Sequence, residues 1–242
     1  MNNKLPFAFP LSPEEIRSRR AAILAQLLAM DEGFCGIPVT SLHADTLRRM
    51  LLLYDCEFLS GWLSVIYKHI DITLSSRLTS SAGKFIYAKN PAIRMSSAEI
   101  RMSSDFLFRL VNGPFTLNGL SVSTPQEAFL IVLEHEICHA IETALFGSTG
   151  HTKRFLSLAN GLFGHTDTHH SLPTRKQEAA NNGLSVGSRV AFAYNRKQIT
   201  GLISYIGKTA TVMVPSLFGS YRDQRGKRYR KYRVPLDLLK KV

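Results

Sequence analysis

Leu133-Glu134-His135-Glu136-Ile137-Cys138-His139 lies inside an apolar run from Ala128 to Ala144 and reads H-E-x-x-H. In a helix, positions four apart sit about 40° apart around the axis and about 6 Å along it. His135 and His139 therefore point the same way and can hold one metal ion through neutral imidazole nitrogens. Zinc is the default for that pair. Glu136 starts beside the first of them, placed to take a proton from a water that zinc makes acidic. Two ligands leave such a site incomplete, because a catalytic zinc takes a third protein ligand and keeps a position open for water.

The flanks favour a metal over a helix whose His and Glu merely solvate one face. Thr124-Pro125-Gln126-Glu127 is a helix start, with Thr124 as N-cap, Pro125 in the first turn and Glu127 closing a capping box. Phe129, Leu130, Val132, Leu133, Ile137, Ala140, Ile141 and Leu145 make the helix apolar nearly all round, which predicts burial. Two His and a Glu in a buried helix need partners, and a metal supplies them. Cys138 points about 80° away from the mean His135/His139 direction and reads as a small buried apolar residue.

The chain has 242 residues, enough for one large domain or two modest ones, and 45% hydrophobic content suffices for a sizeable core. There is no apolar run of about twenty residues, and the N-terminus lacks a basic stretch followed by an apolar one, so the expectation is a cytoplasmic protein with no membrane partner. Cys35, Cys56 and Cys138 are odd in number and form no C-x-x-C pair, which argues against a disulfide framework or a zinc ribbon. Charge is unevenly placed. Residues 1–170 carry 15 Lys and Arg against 15 Asp and Glu; residues 171–242 carry 15 against 3, so the whole net charge of +12 lies there. Such asymmetry points to a polyanion partner, nucleic acid first.

Ser12-Pro13-Glu14-Glu15 opens an amphipathic helix to about Met30, and Ala44 to Leu59 reads as a second, with Leu47, Met50, Leu51, Tyr54 and Phe58 at helical spacing. Val65 to Tyr67 and Ile70 to Leu74 read as strands. Lys84 to Ala88 and Ala92 to Ser96, parted by Lys89-Asn90-Pro91, suggest a hairpin, and Ser97 to Val111 a return to helix. Gly147 is a natural C-cap, followed by His151 and a short helical run through Phe155, Leu156, Leu158 and Ala159. From Val186 the pattern is short strands with turns, at Arg189 to Phe192, Ile199 to Tyr205 and Thr209 to Val214, closing with a helical turn at Val234 to Leu239. That suggests a small barrel.

Candidates for the third ligand are His151, His165, His169, His170 and Glu142, the last about 10 Å along the helix axis from His135. No third His follows in the metzincin spacing. Three further segments carry a resemblance. Gly150-His151-Thr152-Lys153-Arg154-Phe155 is similar to Gly-His-x-x-x-Phe, Ser76-Arg77-Leu78-Thr79-Ser80-Ser81-Ala82-Gly83 with Tyr87 to S-R-(M/L)-T-x-x-A-G, and Ile93-Arg94-Met95-Ser96 to I-x-(L/M)-S. With Tyr54-Asp55 and Phe58, the chain resembles the SprT-like (Spartan-type) metalloproteases over about residues 45–165. The resemblance implies a zinc peptidase with His135, His139 and His151 as ligands and Glu136 as catalytic base, acting on proteins bound or crosslinked to DNA. The His139–His151 spacer is shorter than in Spartan-type members, and a cysteine-free basic segment stands where many members carry a second zinc element.

That segment, Tyr221 to Arg233, interleaves cations with tyrosines. Arg222, Arg225, Lys227, Arg228, Arg230, Lys231 and Arg233 are the candidate phosphate contacts, and Tyr faces can stack on bases or shield the cations. In a strand, alternate residues point to opposite faces, so some tyrosines belong to the core instead. The expectation is an α+β chain. Residues 1–40 form a helical extension, 41–170 a zincin-like metalloprotease domain with a small sheet, 171–184 a linker, and 185–242 a basic SH3-like β-barrel. The competing reading is a non-proteolytic nucleic-acid-binding adaptor with a structural or vestigial zinc site.

Overall fold

Local capping sets the first and the central helices. The computed structural model describes residues 5–67, 69–88, 97–111, 113–169 and 172–242, and the chain divides into two units, Met1–Leu172 and Pro173–Val242. Helix α1 (Pro13–Met30) starts at Ser12, whose hydroxyl accepts from the Glu15 N–H while the Glu15 carboxylate accepts from the Ser12 N–H. It buries Ile16, Ile23 and Leu27. One-turn α2 (Glu32–Cys35) is capped by Asp31. Helix α3 (Ala44–Leu59) buries the stripe of Leu47, Met50, Leu51, Tyr54 and Phe58, as its spacing requires.

Val65 to Tyr67 is not a strand. Helix α4 (Trp62–Ile66) takes those residues up to Ile66 because the Asp55 carboxylate, one helix earlier, accepts from the N–H groups of Leu63 and Ser64 at 2.7 and 2.9 Å. A cap supplied from a distance outweighs the β-branched local preference.

Strands β1 (His69–Ser75), β2 (Gly83–Ala88) and β3 (Ser97–Ser103) form a sheet in the order β1-β3-β2, with β3 parallel to β1 and antiparallel to β2. The helix expected from Ser97 is thus a central strand, followed by only one turn, α5 (Ser104–Leu107). Ala98, Ile100 and Met102 go into the core while Glu99 and Arg101 pair on the other face, and pairing on both sides settles the strand. The expected partner arm, Ala92 to Ser96, lies outside the described residues.

Strands β4 (Phe115–Leu117) and β5 (Leu120–Val122) form a hairpin turned by Asn118 and Gly119 at φ 50° and 79°, the left-handed pair that such a two-residue turn requires. Helix α6 (Pro125–Phe146) follows with the expected Thr124 capping box and buries 16 of its 22 residues, Cys138 among them, so it is the centre of the first unit's core. Gly147 ends it in the left-handed conformation, and α7 (Lys153–Phe163) closes the unit.

In the second unit, the stretch with linker composition contains α8 (Arg175–Asn181), because Thr174 and Gln177 form a third capping box. Strands β6 (Arg189–Tyr194), β7 (Lys197–Ile206), β8 (Thr209–Pro215), β9 (Tyr221–Arg222), β10 (Arg228–Pro235) and β11 (Lys240–Lys241) make one antiparallel sheet, ordered β11-β6-β7-β8-β10-β9. Its core is Val190, Phe192, Ile203, Ala210, Val212 and Val234. The chain is mixed α+β. Among the described residues no helix is long and apolar enough to cross a membrane.

Candidate metal centre

Helix α6 presents His135 and His139 one turn apart, and the loop after it returns His151 to the same spot. The His135 Nε2 lies 2.9 Å from the His151 Nε2 and 3.1 Å from the His139 Nε2. One nitrogen from each of the three rings lies within 4.8 Å of the others, close enough to hold one metal ion. Four ligands at about 2.0–2.1 Å in a tetrahedron sit about 3.3 Å apart, close to the spacing observed here. Phe155 underlies the cluster, its ring centroid 4.9, 4.5 and 5.2 Å from those of His135, His139 and His151.

Several side chains hold the loop in place. Glu142, which sequence reasoning weighed as a third ligand, does not join the histidines. Its buried carboxylate accepts from the Gly150 N–H at 2.9 Å and from Arg154 Nε at 2.8 Å, tying both flanks of His151 to α6. The Arg154 guanidinium also lies 4.1 Å from the centroid of the Phe146 ring. The Thr149 hydroxyl meets His139 Nδ1 at 2.7 Å, which orients the ring.

The electrostatics suit a cation. Burial and the neighbouring His151 lower the His139 pKa to about 4, and burial with the nearby His169 lowers that of His151. Both rings are therefore neutral near pH 7, the form that ligates. Glu136 is buried beside them. Desolvation outweighs the hydrogen bond from the Phe85 backbone N–H and pushes its pKa up to about 8. Its carboxylate packs on the backbone of β2 at Gly83, where a Cβ would lie 2.5 Å from Oε1. A cleft of about 460 Å³ opens onto His135, Glu136, His139 and His151, and is further lined by Gly83, Lys84 and Phe85 of β2 and by Leu117, Asn118, Thr168 and His169.

The other candidate histidines separate. His165 is buried and pairs through Nε2 with Glu134 at 2.8 Å, away from the cluster. His169 sits on the cleft rim, and His170 lies outside the described residues. In the second unit, Arg222 lies on β9, Arg225 and Lys227 in the following turn, and Arg228, Arg230, Lys231 and Arg233 on β10, all exposed. Strand alternation divides the β10 cations between two faces, Arg228 and Arg230 on one and Lys231 and Arg233 on the other. Tyr232 packs on Phe192 and Tyr194, Tyr229 donates to Asp223, and Lys231 lies over the Tyr221 ring at 4.8 Å.

Thr149, Glu142 and Arg154 escaped sequence reasoning as supports of the site, as did the Asp167–His169 pair. Arg20, which pairs with Glu134 of α6 at 2.7 Å, did leave a signal: it stands four after Ile16 and three before Ile23, on the buried stripe of α1, where a charge demands a buried partner. Compared with models of known protein families the chain matches none, and no curated protein matches it.

Proposed function

We propose that this chain is a zinc-dependent peptidase of the SprT-like kind that acts on proteins associated with or crosslinked to DNA. In this reading the first unit is zincin-like and the second is a small SH3-like nucleic-acid-binding module. The observation that carries the reading is the convergence of three imidazole Nε2 atoms beside a buried carboxylate at one cleft. Three imidazole nitrogen donors with room for water match a catalytic zinc rather than a closed structural one. When bound, zinc supplies a Lewis acid and makes water acidic near neutral pH.

The chain's own residues do the rest. His135, His139 and His151 hold the ion, Thr149 and Glu142 hold the rings and the loop, and Glu136 takes the proton of the attacking water. A carboxylate whose pKa is raised by burial gains affinity for that proton. Among the described residues β2 pairs only with β3, and its Gly83, Lys84 and Phe85 line the cleft, so in this reading an extended peptide lies along β2. The excess of 15 cations over 3 acids in residues 171–242 supports recruitment to nucleic acid.

The test is cleavage of a basic DNA-binding protein, with and without duplex or single-stranded DNA, by wild type and Glu136→Gln at equal zinc content. DNA-stimulated cleavage that vanishes in the variant supports the proposal. A wild type that binds zinc and DNA yet cleaves nothing refutes it in favour of the adaptor.

A further inference from the structure

The cleft carries one polar pair that metal binding does not use. His169 lines it but is not one of the three clustered histidines. Its Nδ1 lies 2.8 Å from Asp167 Oδ1, which leaves Nε2 available to the cleft. Both side chains are mostly exposed, and exposed ion pairs add little to stability.

The backbone of the pair is nonetheless anchored by hydrogen bonds. The Asn118 N–H donates to the His169 carbonyl at 2.7 Å, and the Asn118 carbonyl accepts from the N–H groups of Thr166 and Asp167 at 3.0 and 3.1 Å. Asp167 Oδ1 also accepts from the Thr168 N–H at 2.6 Å. Asn118 itself is buried at the β4–β5 turn, and its side-chain amide donates to the Ile131 carbonyl of α6 at 3.4 Å. The backbone that carries this solvent-facing imidazole is thus tied to the helix that bears His135 and His139.

We propose that His169 is a catalytic residue. Its imidazolium Nε2–H donates a hydrogen bond to the substrate oxygen that gains negative charge when water adds to the scissile carbonyl. Asp167 accepts the Nδ1–H, orients the ring and balances its charge. No bond to His169 forms or breaks, so its contribution is electrostatic and selective for the tetrahedral state. This rests on the peptidase reading above.

The probe is the phosphinic pseudo-dipeptide Ala-ψ[PO₂CH₂]-Ala, whose charged oxygens imitate that state, titrated calorimetrically into zinc-loaded wild type, His169→Ala, His169→Gln and Asp167→Asn, with zinc content measured on each. Removing one such donor is expected to weaken phosphinate binding and to lower kcat for the basic protein substrate, each by about a hundredfold, with zinc content unchanged. His169→Gln, which keeps an N–H donor, is expected to fall between alanine and wild type, and Asp167→Asn to lose less than His169→Ala. Equal phosphinate affinity in wild type and His169→Ala overturns the proposal. So does loss of zinc from His169→Ala, which would make the residue a ligand. A wild type that binds the phosphinate but cleaves no protein sinks the peptidase reading and the catalytic role with it, while the titration still decides whether His169 contacts the phosphinate oxygens. A zinc-loaded wild type that ignores the phosphinate refutes both.

Discussion

Two glutamates on α6, Glu134 and Glu136, stand two residues apart, both buried, and their pKa values move in opposite directions. Glu134 looks toward α1 and α3. Arg20 donates to it from Nε and Nη2 at 2.7 and 2.8 Å, the Tyr54 hydroxyl at 2.7 Å, and His165 Nε2 lies at 2.8 Å. Burial works to raise its pKa, but the guanidinium and the imidazole outweigh it and the net shift is down. Glu136 looks toward β2 and the cleft, where burial wins over one backbone N–H. Burial sets the size of the penalty for a charge, and partners set the sign of the outcome. The back of the helix is a charge-compensated polar network that fixes the fold. The front holds an under-compensated carboxylate beside three imidazoles, and carboxylates perturbed in this way cluster at functional sites.

The comparison breaks most sharply under turnover. Glu136→Gln should lower kcat by about 10²–10⁴-fold, the range for a positioned proton acceptor, while zinc content stays at the wild-type value. Peptide cleavage and metal analysis on the same preparation check this, and a variant that keeps its rate removes Glu136 from the chemistry. Glu134→Ala should leave turnover per folded molecule intact but strand the half-buried Arg20, at a cost of about 3 kcal/mol in urea unfolding. If Glu134→Ala lost activity at unchanged stability, front and back would not be separate devices.

How much of this division was legible beforehand depends on how local its causes are. The H-E-x-x-H helix, its Thr124 cap and its Gly147 end are written within one segment, as are the stripes of α1 and α3. Strand β3 was not legible. Its Ala98/Ile100/Met102 alternation is short, Phe106, Leu107 and Leu110 follow at helical spacing, and only β1 and β2 on either side decide the matter. Helix α4 depended on Asp55, on another helix. The Glu134 network joins residues 114, 80 and 31 positions apart, contacts that no window along the chain can contain. The return of His151 to the cluster was implied by resemblance, and its cause, the Glu142 carboxylate, emerged only in three dimensions.

A subtler test uses pH on the metal-free protein. Glu136 titrates at about 8 when folded and at about 4.3 when unfolded, so between those values the folded state binds more protons. Stability from this group is therefore fully present below about pH 4.3 and falls as pH rises toward 8. Glu136→Gln cannot lose that proton, so its Tm should exceed that of wild type at pH 8, and the gap should close toward pH 5. A gap independent of pH would mean that partners, not burial, govern Glu136. Glu134 predicts the reverse slope, because a lowered folded pKa gives stability that is present above about pH 4.3 and lost on acidification through the folded value.

The smallest effect should come from Tyr54→Phe, and it asks how finely the back of the helix is balanced. The ring would stay in place, stacked on Phe58 at 5.3 Å and edge-on to Phe163 at 5.9 Å, so packing is conserved and one hydrogen bond to Glu134 is removed. Arg20 and His165 still compensate the carboxylate, which limits the loss to about 1–1.5 kcal/mol in urea unfolding. If the four groups act as one network, combining Tyr54→Phe with Glu134→Gln should cost less than the sum of the two single changes, since the second removes the charge that the tyrosine served. Strict additivity would reduce the network to independent pairs. The contrast with Glu136 would then rest on the separate contacts of Arg20 and His165.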